Sequence, residues 1–151
     1  MAGETSEGMA GGCQCGRVRY TARIASDDAY FCHCRMCQKA TGGIAAAFVG
    51  LPASAVTWHT AHDWYASSPI ARRPFCSACG TPLGFVFADG EGLDLTVGSF
   101  DDPSRFRPVL HAGAESLHEG WLDTRDLPRH RSEQTPSVAD RWKAAGLDVP
   151  T

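Results

Sequence analysis

Cysteine constrains this sequence more than any other residue type. Cys13, Cys15, Cys32, Cys34, Cys37, Cys76 and Cys79 make seven, an odd count that rules out a complete disulfide framework. The opening residues, MAGETSEGMAGG, place Glu4 and Glu7 where a secretory leader needs positive charge, and they hold no apolar core. The expectation is a cytoplasmic protein whose thiols stay reduced and serve metal or thiol chemistry. Clustering agrees, because each cysteine lies within three positions of another, as ligands on tight knuckles do.

The stretches GGCQCG (11–16) and FCSACG (75–80) each place two cysteines close together and then a glycine. A knuckle must turn back so that both sulfurs face one point, and Gly16 and Gly80 tolerate the positive φ that such turns require. Together the pairs supply four thiolates, enough to close a tetrahedral Zn²⁺ site, so Cys13, Cys15, Cys76 and Cys79 are expected to hold a structural zinc. The remaining three, Cys32, Cys34 and Cys37, stand in FCHCRMCQKATGG with no eighth cysteine to complete a second tetrahedron. Three protein ligands and one open position is the catalytic pattern, with two Zn²⁺ per chain as the sum. Other readings remain open: one closed site with spare thiols, or a histidine (His33, or the more distant His59, His62, His111 or His118) that closes the second site and makes both zincs structural.

Charge decides what an open three-thiolate zinc does. Its net charge of minus one makes it a weak Lewis acid toward water but a good place for an incoming thiol to bind and lose its proton. Such a thiolate is nucleophilic at neutral pH, and its natural partner is a small electrophile such as an aldehyde. Carbon–sulfur bond formation, or cleavage in reverse, is the expected reaction. The alternatives are a non-enzymatic zinc-binding module with two structural zincs, and a related lyase that acts on a different thiol adduct.

The rest of the sequence favours one ordinary domain, with 43% apolar and 21% charged residues. A formal charge of −3 argues against a nucleic-acid partner. The longest apolar run, 44–51, is far short of the ~20 residues that span a bilayer, so no membrane role is expected. Residues 1–10 read as a disordered leader and 11–151 as a single domain. From Arg17 onward short β-branched and aromatic runs alternate with turn residues: RVRYTA, AYFCH, IAAAFVG, AVTWH, DWYA, PLGFVFA, LDLTVGSF and RPVLHA. A hairpin is expected from Pro82 to Phe100 around Asp89-Gly90. Helices are expected only over 35–40 and 138–145, the second carrying Trp142 onto the β layers. The other tryptophans, Trp58, Trp64 and Trp121, read as core or cavity wall. The fold class is mainly β, with antiparallel sheets, short helical turns and a C-terminal helix.

The order GGCQCGRVRY, FCHCRMCQKATGG, FCSACGTPL, LDLTVGSFDDPSRFRPVLH, then Trp121 and Asp126-Leu127-Pro128, resembles the glutathione-dependent formaldehyde-activating enzyme family, which includes centromere protein V. The resemblance covers about residues 11–130. It implies an Mss4-like zinc-bound β fold, a structural zinc on the outer cysteine pairs and a catalytic zinc on the central triplet. The activity it implies is condensation of glutathione with formaldehyde, a carbon–sulfur lyase reaction read in reverse, with glutathione as co-substrate. Arg35 and Lys39, on the triplet's loop, are candidates to hold a glutathione carboxylate. His111 is a candidate proton relay or a satisfied structural histidine.

Overall fold

The computed structural model describes residues 8–150. Strands β1 (Gly8–Gly12), β2 (Arg19–Arg23) and β5 (Val56–Trp58) form a three-stranded antiparallel sheet in the order β1-β2-β5. The remaining strands are β3 (Asp28–Cys32), β4 (Ala46–Pro52), β6 (Asp63–Ser68), β7 (Ala71–Phe75), β8 (Gly84–Phe87), β9 (Gly92–Thr96) and β10 (Arg107–Ala112). They form a seven-stranded sheet ordered β10-β3-β4-β9-β8-β7-β6. Its neighbours run antiparallel except β10 and β3, which are parallel. Helix α1 (Arg35–Thr41) joins β3 to β4 and ends on Gly42, whose φ of 76° gives it a left-handed cap.

The mainly β architecture and the β8–β9 hairpin are as the sequence implies. Two strands are not. Residues 8–10, expected in the leader, belong to β1, and the rest of that segment, 1–7, lies outside the described residues. The glycines that hid β1 are what let it pair so closely. A Cβ on Gly11 would lie 2.4 Å from the Tyr20 ring, and one on Gly12 would lie 2.2 Å from the Val18 carbonyl oxygen. Strand β7 was hidden by its charge and its proline in ARRPF; Arg73 and Pro74 are nonetheless buried, and the Pro74 carbonyl accepts the Leu83 N–H at 2.9 Å.

Period-two alternation in the large sheet divides the interior in two. In β4, Val49 and Leu51 join Leu83, Val86, Leu93 and Leu95 in a core completed by Tyr20, Ala22 and Val56 of the small sheet. Each large aliphatic side chain so buried contributes about 1.5–3 kcal/mol. The Tyr20 hydroxyl donates to Ser99 Oγ at 2.8 Å, and Ser99 Oγ donates to the Thr96 carbonyl, so the core's phenol is satisfied. The other face of β4 carries Ala46 and Phe48, which cluster with Cys37, Tyr30, Cys32, Cys34 and Phe85. The continuous apolar run of β4 therefore reflects burial on both faces, and the second face is where the cysteine triplet stands.

The chain divides into two compact units, one ending at His118 and one beginning at Glu119, where the sequence suggests a single domain over 11–151. The second unit contains the 3₁₀ turns Glu119–Trp121 and Ser132–Gln134 and helix α2 (Pro136–Ala144), which starts with proline in its first turn and has no buried residue. Trp121, expected as core or cavity wall, is 67% exposed, and Trp64 in the first unit is also exposed, with the Arg72 guanidinium 4.4 Å from its ring centre. Trp58 does pack on the core. Among the described residues no helix is long and apolar enough to cross a membrane.

Candidate metal centres and the cavity beside the triplet

Strands β1 and β7 each run directly into a cysteine knuckle. Cys13 follows β1 and Cys76 follows β7; in each knuckle the first cysteine's N–H returns to a carbonyl five residues on, Val18 at 3.0 Å and Thr81 at 3.1 Å. Gly16 and Gly80 both have a φ of 81°, as the turn-back requires. The four sulfurs of Cys13, Cys15, Cys76 and Cys79 lie within 4.8 Å of one another, with Cys13 to Cys15 at 3.5 Å and Cys15 to Cys76 at 3.8 Å. Ligands about 2.3 Å from a tetrahedral zinc stand about 3.8 Å apart, so the donor set fits that ion.

The surrounding groups favour the thiolate at Cys76 and Cys79. The Val18 N–H donates to Cys13 Sγ at 3.2 Å and Arg17 Nε to Cys76 Sγ at 3.4 Å, while Arg17 is itself held by Asp63. The Thr81 hydroxyl and N–H draw Cys79 down to about 5. Cys15 is pushed up to about 11: the Arg17 N–H favours its thiolate, but the neighbouring thiol of Cys13, desolvation and the other two cysteines prevail. One knuckle belongs to the small sheet's end strand and the other to the large sheet, so a closed site here ties the two sheets together.

The triplet has a different setting. Cys32 ends β3, Cys34 caps α1 by accepting the Cys37 N–H at 3.3 Å, and Cys37 lies one turn into the helix; their sulfurs also fall within 4.8 Å. Burial pushes the Cys32 thiol up to about 12, whereas Cys34, despite partial desolvation, is held low by the Cys37 and Met36 N–H groups. No histidine or carboxylate of the described residues joins the three. His33, between two of the cysteines, is fully buried, and its Nε2 pairs with His111 Nδ1 at 2.8 Å, while the His111 ring stacks on Phe31. Strand alternation accounts for this: Tyr30 and Cys32 share one face of β3, and His33 is at the odd position between Cys32 and Cys34. His111 thus has a structural partner.

Beside the triplet lies a cavity of about 310 Å³ walled by Phe48, Phe85, Phe87, Ile70 and Arg73 as well as by the three cysteines. At its polar end the Tyr30 hydroxyl donates to Asp94 Oδ2 at 2.5 Å, and burial pushes both groups above their ordinary ranges. Arg73, only 3% exposed, donates from Nη2 to Cys37 Sγ at 3.4 Å. A cation so buried costs several kcal/mol unless it is balanced, and three thiolates around a dication supply the one negative charge required. That match, with the sulfur spacing, is the fit of the triplet to a divalent metal.

The loop cations separate. Arg35 is exposed and donates to Gln38 Oε1 at 2.6 Å; Gln38 in turn donates to the carbonyls of Ile44 and Ser116. Lys39 lines a neighbouring cavity of about 320 Å³ with Tyr65 and Ser67, and Met36 and Arg73 border both cavities. Sequence reasoning missed Tyr30, Arg73 and Asp94, whose roles depend on long-range pairing. Gly113 is another such residue: its φ is 62°, and a Cβ there would stand 2.6 Å from the Cys34 nitrogen. Gly113→Ala therefore displaces the triplet's loop, and metal analysis of that variant should show the triplet's ion lost and the quartet's retained. A full metal complement would show that the loop yields without cost.

The sequence model of the glutathione-dependent formaldehyde-activating enzyme family matches residues 8–116, and the chain belongs to that family. It is 32% identical over 81 residues to an uncharacterized lyase of Schizosaccharomyces pombe, a match that covers 54% of this chain and 59% of that protein's length. A crystal structure of a Rhodobacter sphaeroides protein shares the fold, with a TM-score of 0.57 at 21% identity over 69% of this chain and all of the other.

Proposed function

We propose that this protein is a carbon–sulfur lyase or synthase of the aldehyde-activating type, which joins a thiol such as glutathione to a small aldehyde. In this reading Cys13, Cys15, Cys76 and Cys79 hold a structural Zn²⁺, and Cys32, Cys34 and Cys37 hold a catalytic one. The observation that carries it is a three-sulfur cluster, with no fourth protein donor among the described residues, on the wall of a ligand-sized cavity. Zinc at the triplet supplies the acidity that lets an incoming thiol lose its proton near neutral pH.

The protein's own groups do the rest. Arg73 offsets the excess negative charge of the cluster, the aromatic wall gives the reacting atoms an apolar surface, and Lys39 in the neighbouring cavity is placed to hold a carboxylate of the thiol substrate. Arg35 braces the loop through Gln38, and its exposed guanidinium is a second candidate for that carboxylate. The substrate sulfur attacks the carbonyl carbon, a C–S bond forms, and the carbonyl π pair moves to oxygen, which takes a proton from water equal to the one the thiol gave up. Cleavage is the reverse. Family membership and the lyase name of the yeast relative support this reading.

The purified protein is expected to contain close to two zinc ions per chain and to speed the exchange between glutathione plus formaldehyde and their adduct, read by exchange NMR. One ion per chain, or an iron–sulfur chromophore, would overturn the division of the cysteines. Two ions with no acceleration for any thiol and aldehyde tried would leave a zinc-binding module.

A further inference from the structure

Arg73 is balanced in charge but not in hydrogen bonds. Its Nη2 reaches Cys37 and its guanidinium carbon stands 5.0 Å from the Phe85 ring centre, yet its Nε is buried with no partner, and it forms no ion pair with any carboxylate of the described residues. A buried charged donor left unmade is costly and rare, and the side chain that carries it lines the cavity beside the triplet. We propose that Arg73 donates to the carbonyl oxygen of the substrate aldehyde, and that Phe48, Phe85, Phe87 and Ile70 hold the aldehyde's hydrocarbon substituent. Aldehydes larger than one carbon are then the preferred substrates. The inference rests on the thiol–aldehyde reading above and specifies its electrophile.

Two points select the carbonyl oxygen over a carboxylate of the thiol. A carboxylate of the thiol already has a cation in Lys39 of the neighbouring cavity, whereas Arg73 Nη2 reaches one of the triplet's own sulfurs, beside which the reacting carbon stands. The oxygen on the attacked carbon lies within that reach, and it is where negative charge develops as the C–S bond forms, so a fixed donor there stabilises the transition state more than the ground state. The planar fork suits an oxygen with two lone pairs. Away from the Tyr30–Asp94 end, Phe48, Phe85, Phe87 and Ile70 offer an apolar wall which a one-carbon aldehyde leaves largely unfilled.

The test uses formamide and benzamide, neutral carbonyl probes that do not react with thiols, on the zinc-loaded protein. Titration calorimetry should show benzamide binding at least ~10-fold tighter than formamide. Arg73→Lys keeps the charge and loses the fork. It should retain two zinc ions yet bind benzamide about tenfold or more weakly. Undiminished benzamide binding by Arg73→Lys would reduce Arg73 to a counter-charge and overturn its carbonyl role, and equal binding of the two probes by the wild type would overturn the hydrocarbon subsite. Should the lysine variant lose a zinc ion, the wild-type protein labelled with nitrogen-15 carries the comparison: benzamide should shift the Arg73 Nε–H resonance, and an unmoved resonance would overturn the carbonyl role. A protein silent in the thiol–aldehyde assay whose benzamide binding still depends on Arg73 would sink the enzymatic reading and leave the carbonyl subsite standing.

Discussion

Replacing Cys76 by serine yields a chain that does not accumulate as a soluble folded protein. Cys76 is fully buried, and its sulfur belongs to the quartet that joins the end of β1 to the end of β7. Structural zinc bound by such a set is worth about 10–16 kcal/mol of folding free energy, against a total stability of about 5–15 kcal/mol for an ordinary domain. Loss of the metal is therefore comparable with the whole stability of the domain. It also leaves Arg17, which donates to Cys76, beside thiols no longer organised by an ion. The checks are soluble yield, far-ultraviolet circular dichroism and metal content, with Cys13→Ser as a second variant expected to behave alike. A soluble Cys76→Ser protein with unchanged melting would contradict the structural assignment of the quartet.

The two cysteine groups were legible because knuckle geometry is local: a few residues, a glycine of positive φ and a returning hydrogen bond are written consecutively. The β8–β9 hairpin and α1 were legible for the same reason. What escaped depends on partners distant in sequence. Glycine-rich β1 becomes a strand only because Tyr20 and the Val18 carbonyl press against it, and the parallel pairing of β10 with β3 brings together segments separated by most of the first unit. Arg72-Arg73-Pro74 reads as surface, yet Arg73 is buried with its Nη2 on Cys37 Sγ, a contact visible only once β7 lies beside β8. Tyr30 and Asp94 likewise meet through the register of β3, β4 and β9, which places them on the triplet's face of the sheet. Alternation at Cys32-His33-Cys34 was a local signal too, and it sets His33 apart from the cysteines that flank it.

Cys34→Ser should stay folded, bind one zinc ion per chain instead of two and lose thiol–aldehyde activity entirely. Serine is among the best helix N-caps, so its hydroxyl takes over the bond from the Cys37 N–H and α1 persists. The main core and the quartet share no residue with the triplet apart from the sheet that carries them all. If the second site were instead structural and closed, the same substitution would unfold the protein as Cys76→Ser does, which makes melting temperature and metal content the deciding pair. The open site also requires that a thiol reach the metal. In cobalt-substituted wild-type protein, millimolar glutathione should add a sulfur-to-metal charge-transfer band and slow removal of the triplet's ion by chelators, both absent in Cys34→Ser. S-methylglutathione, with no proton to lose from sulfur, should do neither. If glutathione and other small thiols all leave the cobalt spectrum unchanged, thiol activation at Cys32, Cys34 and Cys37 is wrong, and the triplet's metal serves the fold or polarises a carbonyl directly.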